Sequence, residues 1–431
     1  MNEYDSNRIY DVAKKINYVK TSDLSDADCY VLNTCHIREK ATEKVYHDVG
    51  RVKKEFRNKK KPIVVVTGCV AQAEGEILLK REKYIDAVIG PQSYQDFNKT
   101  ILSLEKNKKK IDHTEFDVIE KFDKLNVIKN SQSNVSSLLT IQEGCNKFCK
   151  FCVVPYTRGS EYSRSIKELV KEVKELVLNG AKEVVLLGQN VNAYNHNEKK
   201  LSDLIYDIST IKDLKRIRYT TSHPLDFSMD LIDAHKKIKK LMPLIHLPVQ
   251  SGSDKVLKNM NRKHNINYYL NLIERLREAN SSIKFSSDFI IGYPDETEED
   301  FNETIKLIKK VGFINSYSFI FSPRLGTPAA NIKRVDQVLS KERLKTFQRI
   351  AEEIKMKYRR SLFGKVSKVL FENRVKNSDR FFGRDEFNNS VIVESTEDLV
   401  GKIKDTVISE GNHSTLIGQI LINETNKGFA A

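Results

Sequence analysis

Three closely spaced cysteines, in the run CNKFCKFC, carry the most specific chemistry of this sequence: Cys145, Cys149 and Cys152. Cysteine thiolates bind iron and zinc. A structural zinc site needs a fourth Cys or His nearby, yet the 40 residues after Cys152 contain neither. Three thiolates instead bind three irons of a 4Fe-4S cube and leave the fourth iron without a protein ligand. The spacing therefore predicts a 4Fe-4S cluster with one open iron.

Two further cysteines end apolar, β-branched runs, CYVLNTC at 29–35 and PIVVVTGC at 62–69. Each run is typical of a buried parallel strand. Ligands of such sheets lie beyond the carboxyl ends of the strands, so Cys35 and Cys69 are expected at one edge. Cys29 precedes Cys35 by about 20 Å of strand, at about 3.3 Å per residue. It is therefore expected to be a small buried apolar side chain.

The elements around these cysteines predict an N-terminal doubly wound α/β domain over residues 1–106. Residues 37–56 have the apolar spacing of a helix between the two strands, and a third short strand is predicted at 84–90. Residues 107–130 are polar and without period, which predicts an interdomain linker.

A partial parallel (β/α)6 barrel is predicted for residues 131–360. Helical stretches such as 166–180 and 298–312 alternate with strand-like runs, and parallel barrels bind their ligands at the carboxyl ends of the strands. The six predicted strands are 137–144, 182–189, 216–222, 244–252, 284–292 and 314–322.

Small and polar residues follow several of these strands, where a bound ligand is expected. Ordinary turns use the same residue types, so a turn and a ligand contact are both open for each of them. His223 is equally open between a structural and a catalytic role. The ligand candidates are Gly188, Gln189, Asn190, Gln250, Ser251, Gly292, Tyr293, Pro294 and Asp295.

Arg158, Glu161 and Arg164 come shortly after the cysteine triplet. Two arginines at this place could hold a carboxylate or a phosphate bidentately. A salt bridge with Glu161 at the start of the following helix explains them equally well.

Short strand-like runs over residues 361–424 predict a five-stranded antiparallel barrel. Four of its residues have side chains that stack on nucleic-acid bases, although a role in the barrel core explains the phenylalanines equally well. These residues are Phe381, Phe382, Arg384 and Phe387.

The net charge of +15, from 73 basic and 58 acidic residues, favours a partner that carries phosphates. The excess lies in residues 51–61 and 332–360, whereas residues 361–424 hold eight basic and ten acidic residues. No apolar run is long enough for a membrane span and no signal peptide is recognisable. A cytoplasmic protein with reduced thiols is therefore expected.

The cysteine triplet resembles the signature of the radical S-adenosylmethionine (SAM) superfamily. Residues 154–164, VPYTRGSEYSR, resemble the methylthiotransferase family within it. Segments that resemble the branch of this family acting on N6-isopentenyladenosine in tRNA are MNEYDSNRI (1–9), LNTCHIREKATEKV (32–45), GCVAQAEGE (68–76) and IGPQS (89–93).

The resemblance implies that SAM chelates the open iron and that two SAM molecules are used per product. The expected product carries a methylthio group on C2 of N6-isopentenyladenosine at position 37, next to the tRNA anticodon. The expected fold is a methylthiotransferase N-terminal domain, a radical SAM core and an RNA-binding TRAM barrel. The SAM-binding candidates are Gly188, Gln189, Gln250, Ser251 and Gly292.

Cys35 and Cys69 are implied ligands of a second, auxiliary 4Fe-4S cluster. Members of the family have a further cysteine in a strand before MNEYDS, and this sequence starts at that Met1. The first strand and the third ligand are therefore expected to be missing, through an incorrectly assigned start codon or a trimmed chain. If the chain is complete, sulfur insertion is expected to be impaired while SAM cleavage survives.

The implied partners are tRNA and an electron donor such as flavodoxin or ferredoxin, with a monomeric enzyme and no membrane. Two alternatives stay open. One is a methylthiotransferase acting on another tRNA base or on a ribosomal protein. The other is a noncatalytic RNA-binding iron-sulfur protein.

Overall fold

The computed structural model describes residues 1–35, 40–107, 109–114, 121–122, 125, 130–131, 134–324 and 326–421. These residues form a four-stranded parallel sheet, an arc of six parallel strands and a closed five-stranded barrel. The predicted fold class is confirmed. No helix in these ranges is both long and apolar enough to cross a lipid bilayer.

The N-terminal sheet is covered by helices on both faces, because its strands are apolar on both sides. In the second strand, Val64 and Val66 pack into one apolar cluster and Val65 into another on the opposite face. The strands, in sheet order, are β1 (Cys29–Thr34), β2 (Ile63–Gly68), β3 (Ala87–Ile89) and β4 (Ile111–His113), with helices α1 (Asn2–Ala13), α2 (Lys40–Glu55), α3 (Cys69–Arg81) and α4 (Phe97–Asn107).

The segment predicted as a linker, 107–130, contributes to the folded core. Strand β4 lies within it and pairs in parallel with β3. Lys121, Phe122 and Leu125 are buried there. A three-residue strand and isolated buried side chains are too short to produce a periodic pattern, which explains why the sequence did not reveal them. Residues 108, 115–120, 123–124 and 126–129 lie outside the described ranges.

The central arc consists of six parallel strands in chain order, as predicted. They form two three-stranded ladders. Backbone hydrogen bonds bridge the ladders: the amide of Ile217 donates to Lys240 O (2.7 Å), and the amide of Met242 donates to Ile217 O (2.9 Å). The strands are β5 (Ser136–Thr140), β8 (Glu183–Leu187), β11 (Arg216–Thr220), β12 (Leu244–His246), β13 (Lys284–Ile291) and β14 (Asn315–Ile320).

Shorter strands and helices complete the core, and the amphipathic helices pack their apolar faces on the arc. The short strands are β6 (Gln142–Glu143), β7 (Tyr162–Ser163), β9 (Asn195–His196) and β10 (Lys199–Lys200). The helices are α5 (Val154–Thr157), α6 (Ile166–Leu178), α7 (Leu201–Ser209), α8 (Met229–Lys237), α9 (Asp254–Asn259), α10 (Ile266–Ala279), α11 (Glu298–Val311) and α12 (Gln337–Arg360).

The C-terminal strands close into a barrel in the order β15-β16-β17-β19-β18. Four neighbouring pairs are antiparallel, but β17 and β19 pair in parallel because β18 separates them in the chain. The fully antiparallel arrangement that was predicted is therefore corrected at this pair. The strands are β15 (Val366–Arg374), β16 (Arg380–Arg384), β17 (Ser390–Glu394), β18 (Ile403–Gly411) and β19 (Thr415–Ile420). Residues 422–424 lie outside the described ranges.

Two buried arginines of β11 hold this barrel against the arc. Arg216 donates to the backbone carbonyls of Lys368 (2.6 Å) and Arg384 (2.8 Å). Arg218 donates to the carbonyls of Asp385 (2.6 Å) and Glu386 (2.9 Å). Arg216 is the first residue of β11, so the C-terminal barrel sits at the amino ends of the parallel strands.

Candidate active site

A short hairpin encloses the cysteine triplet at the carboxyl end of β5. Strands β6 and β7 pair antiparallel at its base. The amide of Cys145 donates to Gly159 O (3.2 Å). Gly144 has a φ of 77°, and a Cβ there would lie 1.9 Å from Ser160 O. Only glycine allows this close approach of the two chain segments, so the loop is held tightly at its entry.

The thiols of this loop are partly or fully buried, and Cys149 is only 7% exposed. Burial, together with the nearby Cys149, raises the pKa of Cys145 to about 11 and that of Cys152 to about 12. The thiols of Cys145 and Cys152 therefore stay protonated at neutral pH, and metal binding would displace their protons.

The donor set fits a cluster better than a single metal ion. Among the described residues, no group of three His, Cys, Asp or Glu side chains is arranged to hold one ion. The ligands of a 4Fe-4S cube need not converge on one ion, because each thiolate binds a different iron. Cys145, Cys149 and Cys152 offer three sulfur donors on one loop.

Buried polar atoms without hydrogen-bond partners lie beside the triplet. Nearly all buried polar groups in native proteins are bonded, so these atoms indicate a polar ligand. Arg262 Nη1 lies 3.9 Å from Cys149 Sγ, and the rings of His223 and His264 lie 5.8 Å apart. The unbonded atoms are Asn190 Oδ1, Ser222 Oγ, Arg262 Nε and both ring nitrogens of His264.

The candidates after β8 are brought directly to the cluster loop. Gln189 Oε1 accepts a hydrogen bond from the amide of Gly144 (2.7 Å). Gln142 Oε1 accepts one from the amide of Asn190 (3.1 Å). A Cβ on Gly188 would lie 2.7 Å from the same Gln142 oxygen. A side chain at Gly188 would therefore displace the buried Gln142, where the β8 loop passes the segment that leads to the cysteines.

The candidates after β12 differ in their roles. Gln250 has a φ of 77°, an uncommon conformation for a residue with a side chain. Ser251 is buried, and its hydroxyl bonds to Thr304 Oγ1 (3.3 Å) and accepts from the amide of Ser253 (3.2 Å). The hydroxyl of Ser251 is thus used within the protein, whereas the backbone of Gln250 bonds to β13, through its amide to Asp288 O (3.0 Å) and through its carbonyl to the amide of Ile290 (3.0 Å).

Gly292, after β13, is supported by a glutamate that sequence reasoning missed. Its amide donates to Glu296 Oε1 (3.0 Å), which also pairs with Arg343 (3.0 Å). Burial raises the pKa of Glu296 to about 7. A Cβ on Gly292, whose φ is 69°, would lie 2.4 Å from Ser340 Oγ. The glycine therefore lets α12 pack against this loop.

Left-handed backbone conformations gather at this end of the arc. They are rare for residues with side chains and often mark functional sites. Thr221 is β-branched, which makes it the most unusual. Besides Gln250, the residues are Phe148 (φ 47°), Thr221 (71°), Asn261 (61°) and Asp295 (63°).

The structure also brings Cys35 and Cys69 together. Thr34 pairs with Gly68 at the ends of β1 and β2, so the two cysteines leave the sheet in register. Cys29 lies at the other end of β1, partly buried against the apolar residues under the sheet. Burial raises its pKa to about 12. Residues 36–39, part of the resemblance noted above, lie outside the described ranges.

Arg158 links the two groups of cysteines. Its Nε lies 3.4 Å from Cys69 Sγ. Its other nitrogens pair with Asp5 Oδ2 (2.8 Å) and Glu143 Oε1 (3.4 Å). Lys121 Nζ completes the network at 2.6 Å from the Glu143 carboxylate and 3.7 Å from that of Asp5. All four charged side chains are at most 2% exposed.

The charges of this network balance, with two cations and two carboxylates. Burial works to raise the pKa of Asp5, but Arg158 and Lys121 outweigh it and lower that pKa. Arg164 instead pairs with Glu172 of α6 (2.6 Å). The salt bridge with Glu161, one of the two alternatives that the sequence left open, is therefore replaced by these partners. Both arginines are used within the fold, so neither is placed to clamp a phosphate.

A cavity of about 1550 Å³ separates β1 from the open edge of the arc. Asn33 and Cys35 line one side, and Asp288, Tyr317 and Phe319 line the other. Drug-sized ligands occupy cavities of roughly 300–1,000 Å³. This cavity is therefore larger than a drug-sized ligand needs, and no sequence pattern pointed to it.

Known proteins resemble this chain over nearly its whole length. Residues 139–308 match the radical SAM superfamily, and residues 1–90 match the uncharacterized protein family UPF0004. A tRNA-2-methylthio-N(6)-dimethylallyladenosine synthase from Pelagibacter ubique is 58% identical over 431 residues, covering 99% of this chain and 97% of the relative. The Rickettsia typhi protein of that name is 45% identical, covering 98% of this chain and 97% of its own.

Two solved structures share the fold. The radical SAM methyltransferase TsrM from Kitasatospora setae, with cobalamin and a [4Fe-4S] cluster bound, has a TM-score of 0.52 at 13% identity, covering 70% of this chain and 65% of its own. The cobalamin-dependent SAM radical enzyme OxsB with aqua-cobalamin bound has a TM-score of 0.52 at 11% identity, covering 81% of this chain and 55% of its own. At these identities the likeness concerns the fold alone.

Proposed function

Because the chain belongs to the family of tRNA-2-methylthio-N6-dimethylallyladenosine synthases, we infer that it is a radical SAM methylthiotransferase acting on tRNA. Its reaction adds a methylthio group to C2 of N6-isopentenyladenosine beside the anticodon. The full-length identity to relatives of this name carries the conclusion. The cysteine loop at the carboxyl end of the arc agrees with it.

The chemistry explains why such a site is needed. The C2–H bond of an adenine is an unreactive aromatic bond, and no protein side chain activates it. A 4Fe-4S cluster on Cys145, Cys149 and Cys152, with SAM on its open iron, would supply the electron and the carbon radical that this bond requires. The protein binds and orients the reactants and excludes water.

We assign the SAM-binding role to the loops that meet at the cysteine triplet. Gly188 lies against Gln142 and Gln189 bonds to Gly144, while Gln250 and Gly292 follow β12 and β13. The buried unbonded atoms of Asn190, Ser222 and His264 would bond to polar groups of SAM. Ser251 supports this surface through its bond to Thr304.

The sulfur-bearing site is assigned to Cys35 and Cys69, which leave the sheet in register beside Arg158. Two thiolates and a nearby guanidinium suit an anionic iron-sulfur cluster. Among the cysteines of this sequence, none other lies at this edge, since Cys29 is at the far end of β1. The cavity between Cys35 and Tyr317 is the proposed entrance for the adenine.

The decisive experiment measures nucleosides of tRNA from a strain that lacks the gene. We expect N6-isopentenyladenosine to accumulate without its methylthio group and the modified nucleoside to return when the gene is restored. A restored gene carrying Cys149→Ala serves as the matched control and is expected to fail. Unchanged methylthio product in the deletion strain would favour another tRNA base or a ribosomal protein as the substrate.

We propose that tRNA phosphates contact the exposed side of α12. Two arginines of this helix are buried and used internally, since Arg343 pairs with Glu296 and Arg359 donates to the carbonyls of Asn412 and Ser414. The exposed basic residues are Lys341, Lys345, Arg349, Lys357 and Arg360. An electron donor such as flavodoxin or ferredoxin, a monomeric state and a cytoplasmic location complete the proposal.

Reversing two of these charges, with Lys341→Glu and Lys345→Glu together, is expected to weaken tRNA binding. The logarithm of the association constant decreases with the logarithm of the salt concentration. The steepness of this decrease is expected to become smaller by about 0.7–0.9 for each lost phosphate contact. Filter binding at several salt concentrations measures both quantities. Lys171→Glu with Lys174→Glu, on exposed positions of α6, is the control. Equal losses in the two double variants would show a general charge effect and reject a specific contact at α12.

A further inference from the structure

An exposed aromatic pair stands on the cysteine loop. Phe148 lies directly before Cys149 and is 52% exposed, and Tyr156 of α5 is 45% exposed. Their rings meet edge to face, with centroids 6.3 Å apart. The backbone holds Phe148 in this position, since its φ is 47° and Asn261 Nδ2 donates to its carbonyl (2.9 Å). The outward position of the ring is therefore built into the loop.

Four lysines lie on the loop that carries Phe148 and on the chain segment packed against it. Lys147 and Lys150 flank Phe148 in the chain, and Lys258 and Lys263 flank the turn that braces the loop. The turn is fixed by the amide of Lys150, which donates to Met260 O (3.0 Å). Asp226 pairs with Lys147 (2.6 Å). Within the described ranges, no carboxylate forms an ion pair with the other three lysines, so the patch is cationic.

We propose that this surface, Phe148 and Tyr156 with the lysines around them, docks a small acidic protein that carries single electrons. The proposal rests on the proposed function, because reductive cleavage of SAM consumes one electron. The carrier gives up that electron and is oxidised, and the cluster site takes it up and is reduced. No bond is made or broken in this transfer, and no proton moves.

The size and the position of the patch fit such a carrier. Electron-transfer complexes are small and transient, with less than about 1,200 Å² buried. The two aromatic rings form a compact apolar centre that the partner can contact. The lysines around them attract and orient a partner of opposite charge. Phe148 directly precedes Cys149, a predicted cluster ligand, in the chain. A carrier bound to Phe148 therefore lies close to the predicted cluster that accepts the electron.

The test compares binding of a purified flavodoxin to the anaerobically reconstituted protein and to two variants. The first variant combines Lys258→Glu with Lys263→Glu, and the second is Tyr156→Ser. We expect the charge reversal to weaken the complex at least tenfold, mainly through slower association, and to reduce its salt dependence. Tyr156→Ser is expected to weaken it severalfold. Iron content and thermal unfolding show whether each variant is loaded and folded.

Three comparisons separate the possible explanations. SAM cleavage driven by dithionite is expected to stay unchanged in both variants, while cleavage driven by reduced flavodoxin falls with affinity. The matched control, Lys171→Glu with Lys174→Glu, is expected to bind flavodoxin normally. Unchanged flavodoxin affinity in both test variants overturns the proposal, and a loss of tRNA affinity alone reassigns the patch to RNA. Failure of the unaltered protein to cleave SAM with dithionite would count against the proposed function, not against docking.

Discussion

Cys149→Ala is expected to abolish the formation of 5′-deoxyadenosine from SAM, whereas Cys35→Ala is expected to abolish only methylthio transfer. Cys149 is buried in the enclosed loop beside Arg262. Alanine removes one of the three thiolates, and the remaining two do not hold a cube with an open iron. Iron content should fall by about four per chain, and chromatography of the SAM products measures the lost reaction.

Cys35 lies in a separate group with Cys69, at the ends of β1 and β2, and Arg158 contacts Cys69 there. Its loss should therefore leave SAM cleavage intact while the methylthio product disappears. Cys29→Ala is the matched control, because Cys29 is on the same strand at the opposite end. It should change neither readout. Retention of the methylthio product in Cys35→Ala, or loss of both reactions, would disprove the division of roles between the two groups.

Arg158→Met is expected to destabilise the protein more than any surface substitution. It leaves Asp5 and Glu143 buried with Lys121 as the cationic side chain paired with them among the described residues. Breaking a buried ion pair from one side costs about 3–5 kcal/mol. Urea unfolding of the metal-free protein, followed by circular dichroism, measures the loss of free energy of unfolding.

The comparison variant is Arg349→Met, whose ion pair with Glu353 has both side chains more than 60% exposed. Such exposed pairs contribute about 0–1 kcal/mol. Adding Asp5→Asn to Arg158→Met restores the charge balance and should recover part of the stability. If Arg158→Met and Arg349→Met cost the same, the buried network does not hold the N-terminal helix to the core.

The cysteine chemistry and the strand order could be predicted because both are local. The spacing of the triplet lies within eight residues, and each strand of the arc appears as one apolar run. The partners of Arg158 could not be predicted in this way. Asp5 lies 153 residues away in the chain, and a single carboxylate in a helix gives no pattern.

The same physical reason explains the other differences. Lys121 looks like part of a polar linker, because its burial depends on Glu143 and Asp5, which come from other elements. In the sequence, Glu296 cannot be distinguished from a surface glutamate, because its partner Arg343 comes from the distant helix α12. Strand β19 pairs in parallel with β17 because the barrel closes, and closure is a property of the whole domain. Assignments of individual SAM contacts stay predictions.

The position of the C-terminal barrel has a consequence for substrate choice. It is fastened to the amino end of β11, while the cysteine loop lies at the carboxyl end of the arc. A five-residue strand separates these ends by about 17 Å, at about 3.3 Å per residue. An RNA that touches both must reach along the outside of the protein. The enzyme would then select RNAs by the distance and the bend between the stem and the loop of the RNA. Short linear fragments that carry the same base would be rejected, because they do not reach both contact points.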